Sequence, residues 1–513
     1  MNNVSKRVNA FLSRAREQAV FGRRPVRPSL YVSLGVLIPA LLLSTSCMVG
    51  PKYQRPAAPP SAAYKEPLPE GWKEAQPSDG ALRGKWWEIY TDPNLNALEE
   101  QVNLSNQNIL SAEAQYREAR DAVRIARSGL FPTVSGGASV VNSKTSGTLV
   151  NNRVGAFSPG VLTQYSLPLS LSYQADIWGS IRRTVRQSAE NAQVSAAQLE
   201  NARLIFHAEL ALDYFQLHGV DSAQDLLEAT VKSYQEYLEL TQNRLKSGVA
   251  SGSDVAQAQA QLETARAQLI DLGVARAQFE HAIAILIGKP PSELSIARAP
   301  LKSEPPAIPV GVPSALLERR PDIAAAERQM AAVNEQIGIA RAAFFPALTL
   351  SAAAGLESSS FVNWFTWPSR FWSVGPQMAE TLFDAGRRRA QSAQAEAAFD
   401  VTVANYRQTV LTGFQQVEDN LAALRVLAEE AHAEQAAVKA AEDALQISTY
   451  QYKAGTVSYL QVITSQEIAL QDQRTAVDIL TRRMVASVAL IQALGGGWDA
   501  STLPSVADVI HGK

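Results

Sequence analysis

A single cysteine, Cys47, stands in the 513 residues, so no disulfide can close within the chain and no thiolate cluster can hold a metal. Five scattered histidines are too few and too far apart for a dedicated metal centre. Charge of one sign is also missing. Lys and Arg number 47 against 49 Asp and Glu, a net charge of −2, whereas a nucleic-acid binder driven by counterion release needs a strongly basic face. Long apolar runs are absent past the first fifty residues. A mean hydropathy of −0.09 excludes a polytopic helical membrane protein, because each helical span needs roughly 20 mostly apolar residues. What is present is ample core material: 46% of residues are hydrophobic and 19% charged, a composition neither disordered nor collagen-like. Length alone suggests two to four domains of roughly 100–200 residues.

The N-terminus reads as an address. Residues 1–30 carry Lys6, Arg7, Arg14, Arg16, Arg23, Arg24 and Arg27 against only Glu17, and an apolar run from Tyr31 to Leu43 follows. A basic region, an apolar core too short to span a bilayer comfortably, and the small residues Ser44, Thr45 and Ser46 describe an export signal over 1–46. The next residue is the lone cysteine. This arrangement resembles a bacterial lipoprotein signal, which implies a covalent lipid on Cys47, and Met48 in place of aspartate implies sorting to the outer membrane. An ordinary signal peptide with an incidental thiol is the alternative. From 47 to 85 the prolines at 51, 56, 59, 60, 67 and 69 forbid a helix and read as an extended tether. Regular structure is expected to begin near Trp86 and Trp87.

Self-comparison reveals a duplication. An offset of 207 pairs Gly179 with Gly386, Arg182 with Arg389, Gly248 with Gly455, Val255 with Val462, Gln259 with Gln466 and Gly288 with Gly495. Upstream, Arg127 to Pro132 (RSGLFP) matches Arg341 to Pro346 (RAAFFP) at 214, which leaves seven extra residues in the first copy between Pro132 and Gly179. The first repeat is placed at 86–300, the second at 301–498, and a tail at 499–513.

Each repeat reads as helix, two strands, one very long helix, a glycine turn and a returning helix. The first helix is expected from Leu95 to Arg127, and its counterpart from Pro321 to Ala343, each stopping before a Phe-Pro pair. In the hairpin regions 133–178 and 346–384 there is strict alternation. Tyr165, Leu167, Leu169, Leu171 and Tyr173 interleave with Ser166, Ser170, Ser172 and Gln174, and Leu348, Leu350, Ala352, Ala354 and Leu356 interleave with Thr349, Ser351, Ala353 and Gly355. Period two predicts strands with one apolar and one polar face. Such strands suit a wall between lipid and water and equally a soluble sandwich. Four strands cannot close a barrel alone and open edges cannot sit in lipid, so the membrane reading requires several copies. The aromatic stretch Phe361 to Trp372 fits either an interfacial belt at a loop tip or a hydrophobic plug. Ile181–Lys246 and Arg387–Lys453 are free of proline and rich in Ala, Gln, Glu and Leu. At 1.5 Å per residue each helix is roughly 100 Å long, beyond any compact domain, so it must pack sideways on others.

Leu316-Leu-Glu-Arg-Arg-Pro-Asp-Ile-Ala-Ala-Ala-Glu327 and Ile337-Gly-Ile-Ala-Arg-Ala-Ala-Phe-Phe-Pro346, with Tyr173-Gln-Ala-Asp-Ile-Trp-Gly179 and Ala493-Leu-Gly-Gly-Gly-Trp498, resemble the signatures of the TolC-like outer membrane factors, in particular the NodT-type efflux lipoproteins of resistance–nodulation–division pumps. The resemblance spans about residues 47–498. It implies a mainly α fold with a small membrane β part: a homotrimer with a long antiparallel α-helical barrel and four strands per protomer in a twelve-stranded β-barrel. It further implies an outer-membrane localisation extending into the periplasm, a periplasmic adaptor and an inner-membrane pump as partners, and passive conduction without catalysis or cofactor. Taken alone, Arg319-Arg320-Pro321-Asp322 also reads as a plain helix start.

The same resemblance places a constriction at the two helical turns. Asp254 and Tyr452 keep residue types used in closed gates. Gln461 and Thr464 replace acidic positions and Val457 replaces an arginine, which weakens the case for an acidic ring, while Leu460 matches a pore-narrowing leucine and favours closure by dewetting. Gly248, Gly455 and Ser458 mark the turns where adaptor or pump would dock. Against an enzyme stand the absence of a nucleophile elbow and of a helix-opening pattern after Gly495-Gly-Gly497. His207 and His218 share a helix without a third ligand at metal spacing. A trimeric coiled-coil scaffold or adhesin would explain the helices and leave the alternating segments without a purpose.

Overall fold

The computed structural model describes residues 48–59, 63–67, 84–144, 146, 160–301, 304–310 and 316–512; Cys47 and the expected export signal at 1–46 lie outside them. Two helices of 67 residues dominate, α3 (Ser180–Lys246) and α6 (Arg387–Lys453). Each turns back at a glycine into a 35-residue helix, α4 (Gly252–Leu286) and α7 (Tyr459–Ala493). Before α3 lie α1 (Pro93–Ser105) and α2 (Gln107–Ser128). Before α6 lie a single turn, Leu316–Arg319, and α5 (Pro321–Ala342). The chain ends in a short α8 (Val506–His511), whose Val509 packs with Val123, Ala189 and Ala192.

The helix expected from Leu95 to Arg127 is two helices, broken at Asn106. Its backbone is extended (φ −66°, ψ 118°), and its side-chain oxygen accepts from the amides of Asn108 and Ile109, capping α2. Its side-chain Nδ2 donates to Leu286 O at 2.8 Å. The second repeat breaks at the equivalent place: Arg320 is extended (φ −104°, ψ 121°) and its Nη1 donates to Ala493 O at 3.0 Å. Asn106 and Arg320 are 214 apart, Leu286 and Ala493 are 207 apart, so both joints obey the duplication. A glycine seals each joint. Gly288 and Gly495 have φ of +69° and +93°, and an added Cβ would stand 2.2 Å from Ser105 O and 2.0 Å from Arg319 O. No side chain fits there.

Around these joints lies the main core, which gathers Trp86, Trp87, Leu95, Ile109, Leu210, Tyr214, Ile283, Met330, Tyr406, Leu421 and Val488 from all the major helices. A smaller, separate core sits at the turn end. The described part of the N-terminal segment is extended, as its prolines require, but it is fastened rather than slack. Val49 N donates to Trp178 O, Arg183 donates to Val49 O and Pro51 O, and Tyr53 Oη donates to Glu327 Oε1 at 2.7 Å. Further along, the amides of Lys65 and Glu66 both donate to the Glu418 carboxylate.

The strands form one antiparallel sheet: β1 (Thr133–Gly136) and β2 (Ser139–Ser143) share the edge beside β3 (Leu162–Ala175), followed by β4 (Ala347–Ser358) and β5 (Arg370–Ala379). The first of the four expected strands is thus in two pieces. Pro168 explains the gap. In an antiparallel ladder a residue's N–H and C=O point to the same side. Pro168 O accepts from Gly137 N at 3.0 Å, so its missing N–H falls on that same edge, where the ladder lapses.

Register merges the two alternations into one surface. Leu169 faces Ala354, which faces Trp372, and the rows Leu171–Ala352–Val374 and Tyr173–Leu350–Pro376 run parallel to it. On the opposite face lie Ser170–Ala353–Ser373, Ser172–Ser351–Gly375 and Gln174–Thr349–Gln377. The sheet is a single layer. Trp372 and Val374 are 77% and 73% exposed, so the rows that run through them are left uncovered by the described protomer.

Candidate channel wall and gate

Strand passes to helix through a carboxylate cap in each repeat. Asp176 accepts from the amides of Ile181 and Arg182 and from Arg182 Nε, and Asp384 accepts from the amides of Gly386 and Arg388 and from Arg388 Nε. Each carboxylate satisfies amides that a helix start leaves open. Trp178 Nε1 donates to Pro346 O at 2.8 Å, with its ring stacked on Phe345. The conspicuous Arg320-Pro321-Asp322 is a clamp. Arg320 binds both Asp322 oxygens, at 3.0 and 2.6 Å, and reaches Gln416 Oε1 from α6. Pro321 opens α5 as its helix-start reading predicts.

At the far end, the glycine turns are built alike. Gly248 and Gly455 have φ of +71° and +76°, and the next amides, of Val249 and Thr456, reach back to Arg244 O and Gln451 O, the closure of a left-handed helix cap. The restarts differ. Ser251 and Asp254 form a reciprocal capping box, whereas Ser458 makes no side-chain cap bond to α7.

Asp254 therefore spends its carboxylate on its own helix and does not touch Tyr452 within the protomer. Tyr452 is buried, with its ring 5.3 Å from that of Tyr459 and 4.6 Å from the Arg244 guanidinium. Arg244 Nη1 also donates to Lys453 O at 3.2 Å, and Tyr237 Oη pairs with Thr449 Oγ1 at 2.8 Å, so both contacts tie the first hairpin to the second. Among the described residues the hydroxyls of Tyr452 and Tyr234 and both side-chain polar atoms of Gln466 are buried without a hydrogen-bond partner. Burial pushes the Tyr234 hydroxyl up to about 12. Burial, reinforced by neighbouring tyrosines, raises that of Tyr459 as well.

Leu460, Gln461 and Thr464 lie together on an exposed strip of α7, and Thr464 Oγ1 donates to Leu460 O. Val457 is half-buried against the tyrosine cluster. Arg244, Tyr237 and Tyr459 were not singled out from the sequence. The 207 offset sets Arg244 against Gln451, beside Tyr452, and the run of tyrosines at 450, 452 and 459 was the available signal.

The two histidines that shared a helix are separate and structural. His207 Nδ1 lies 2.6 Å from Glu99 Oε2 and its Nε2 3.0 Å from Asn103 Oδ1, with Trp87 stacked on the ring. Burial lowers its pKa to about 4. His218 Nδ1 meets Asp221, which also accepts from Arg276 and from the amide of Ala299.

The family model described as "Outer membrane efflux protein" matches residues 98–289 and 312–496, one segment per repeat. The chain belongs to the outer membrane efflux protein family. Its relatives include a solvent efflux pump outer membrane protein, SrpC, from Pseudomonas putida, 32% identical over 90% of this chain and 98% of that protein. A pyoverdine export outer membrane protein, OpmQ, from Pseudomonas aeruginosa is 30% identical over 90% of this chain and 97% of its own length. Among solved structures, the outer-membrane channel OprN superposes with a TM-score of 0.79 at 29% identity, covering 88% of this chain and all of that one. As a member of this efflux family the chain is a Gram-negative outer-membrane channel of a tripartite efflux pump, a transporter and not an enzyme.

Proposed function

We propose that three copies of the chain assemble into a passive exit duct, each giving four strand positions to a twelve-stranded barrel and its long helices to a periplasmic tube. The observation that carries this is the open sheet: a single layer whose apolar rows through Trp372 and Val374 are uncovered and whose two edges, β1/β2 and β5, are without partners among the described residues. Such edges are untenable in lipid unless neighbouring copies pair with them. Closure would turn Ser170, Ser172, Gln174, Thr349, Ser351 and Gln377 toward water and the Leu, Val and Trp rows toward acyl chains.

The turn end is the gate in this reading. Leu460, on its exposed strip, narrows the pore by dewetting, with Gln461 and Thr464 beside it, while Tyr452 and Asp254 hold the hairpins that must part. The turns at Gly248, Gly455 and Ser458 receive the adaptor or pump, which supplies the energy. Cys47 carries the lipid. In support, Met48 and Val49, the first described residues, are packed on Gly179 and Trp178 at the foot of the sheet. The cargo is small organic molecules, by analogy with relatives named for solvent and pyoverdine export.

The test is purification of the full chain in mild detergent. A trimer whose gel mobility changes on heating, which conducts ions in planar bilayers, is the expected result. A monomer without β signal overturns the duct and favours a coiled-coil scaffold. Mass analysis of the N-terminal peptide decides the lipid, whose mass should vanish in Cys47→Ser.

A further inference from the structure

The aromatic loop between β4 and β5, residues 359–369, is not accounted for by the duct. It is internally ordered: Asn363 O accepts from Thr366 N, Thr366 Oγ1 and Ser369 Oγ. Its single buried aromatic, Trp364, packs 5.5 Å from Tyr165 and donates through Nε1 to Leu356 O at 3.4 Å, and Phe361 lies edge-on to the same tyrosine. Tyr165 shares its face with Leu167, Leu169 and Leu171, and pairs with Val140 on β2. The loop is thus folded onto the apolar face of the sheet, away from the serine-lined one. That placement rules against the plug among the two readings of this stretch. Val362, Phe365 and Trp367 remain 84%, 66% and 74% exposed, more than a water-facing loop tip would tolerate.

Arg370 fixes the height. It stands in the row Leu167–Leu356–Arg370, on the apolar face, with its guanidinium over the Trp367 ring. A charge on the lipid face of a barrel is costly at the midplane and nearly free at the boundary, and an arginine stem lying on apolar surface with its head at the polar edge is the geometry of snorkelling. A second aromatic level, Trp178 on Phe345 and Phe344 beside Arg388, lies at the other end of β4. The 12 residues between, at about 3.3 Å each and tilted about 40°, span about 30 Å, an apolar band with a girdle at either rim.

We propose that residues 361–370 form a rigid aromatic shelf seated in the headgroup boundary of the outer leaflet, where Arg370 takes an anionic lipid phosphate and Val362, Phe365 and Trp367 enter the upper acyl region. This rests on the barrel reading, with Trp372 as its internal control. The full chain is reconstituted in phospholipid vesicles whose acyl chains are brominated near the headgroup or near the chain end, and the fluorescence lost in Trp367→Phe and in Trp372→Phe isolates each ring. Trp372 quenched, with Trp367 quenched more by shallow than by deep bromine, is the expected result. Trp372 quenched with Trp367 untouched, or quenched more by deep bromine, overturns the shelf and leaves the barrel standing. If neither ring is quenched the barrel wall itself is wrong, and the shelf falls with it. For the headgroup, phosphatidylglycerol should raise the thermal midpoint of the parent and not of Arg370→Gln; an equal rise in both removes the phosphate contact.

Discussion

The glycine joints in the middle of the molecule and the glycine turns at its far end use one residue type to opposite effect. At the joints Arg320 satisfies two carboxylate oxygens, a glutamine and a helix-end carbonyl, and Gly288 and Gly495 leave no room for a single extra atom. At the turn end an added Cβ at Gly248 would meet nothing within 4 Å, whereas buried polar atoms without partners occur in both regions, at Tyr452, Tyr234 and Gln466 here and at Trp87, Glu99 and His218 in the middle. A close-packed joint cannot shift without clashes, and open space around a turn costs nothing to move through. The duct proposed above must hold its length while its turn end dilates, and the contrast at the glycines suits those two duties.

Substitutions can break that comparison. Arg320→Ala, which strands Asp322 and the Ala493 carbonyl, should cost about 3–5 kcal/mol, read as the thermal midpoint of the detergent-solubilised protein. Arg244→Ala at the turn end removes a cation–π contact and one hydrogen bond, for about 1 kcal/mol. Equal losses would erase the distinction. Gly495→Val combines a left-handed backbone with a direct clash and should cost about 3 kcal/mol or more. Gly248→Ala keeps only the backbone penalty of about 1 kcal/mol. Leu460→Asp should raise closed-state conductance in single-channel recordings while leaving stability nearly unchanged, because the side chain is exposed; an unchanged conductance removes Leu460 from the gate.

A further effect concerns pH. Burial, with Glu209 nearby, raises Asp213 to about 6. The folded state thus holds a proton between pH 3.8 and 6 that the unfolded chain has released, and the stability this confers is complete below 3.8 and gone above 6. Asp213→Asn should flatten that slope and lift the thermal midpoint at pH 8. A parallel pH profile for parent and variant would assign the slope to other groups.

Much of this architecture was readable in the residues because it is written twice. The offsets of 207 and 214 located both long helices, both turns and both hairpins, and strict alternation chose the face of the two central strands, β3 and β4. The joint at Asn106 escaped because asparagine inside a helical pattern carries no strong local signal, yet Pro321 less 214 is residue 107, and a proline-opened helix in one repeat foretells a break in the other. Asp254 was assigned to the gate by resemblance, although Ser251-Gly-Ser-Asp254 is itself a capping box in plain sequence. Arg244 stands in the last turn of α3, and the ring it covers lies 208 residues away in sequence, at Tyr452. Proline content predicted an extended N-terminal segment, but no local pattern states which carboxylates will receive its amides.

That fastening changes what an acyl group at the N-terminus would do. With Tyr53 bonded to Glu327, Arg55 to Tyr406 and Glu66 to Arg425, the leading segment is a brace laid across α3, α5 and α6 rather than a leash. A pull from the bilayer would then reach the tube directly, setting its depth instead of merely preventing its escape.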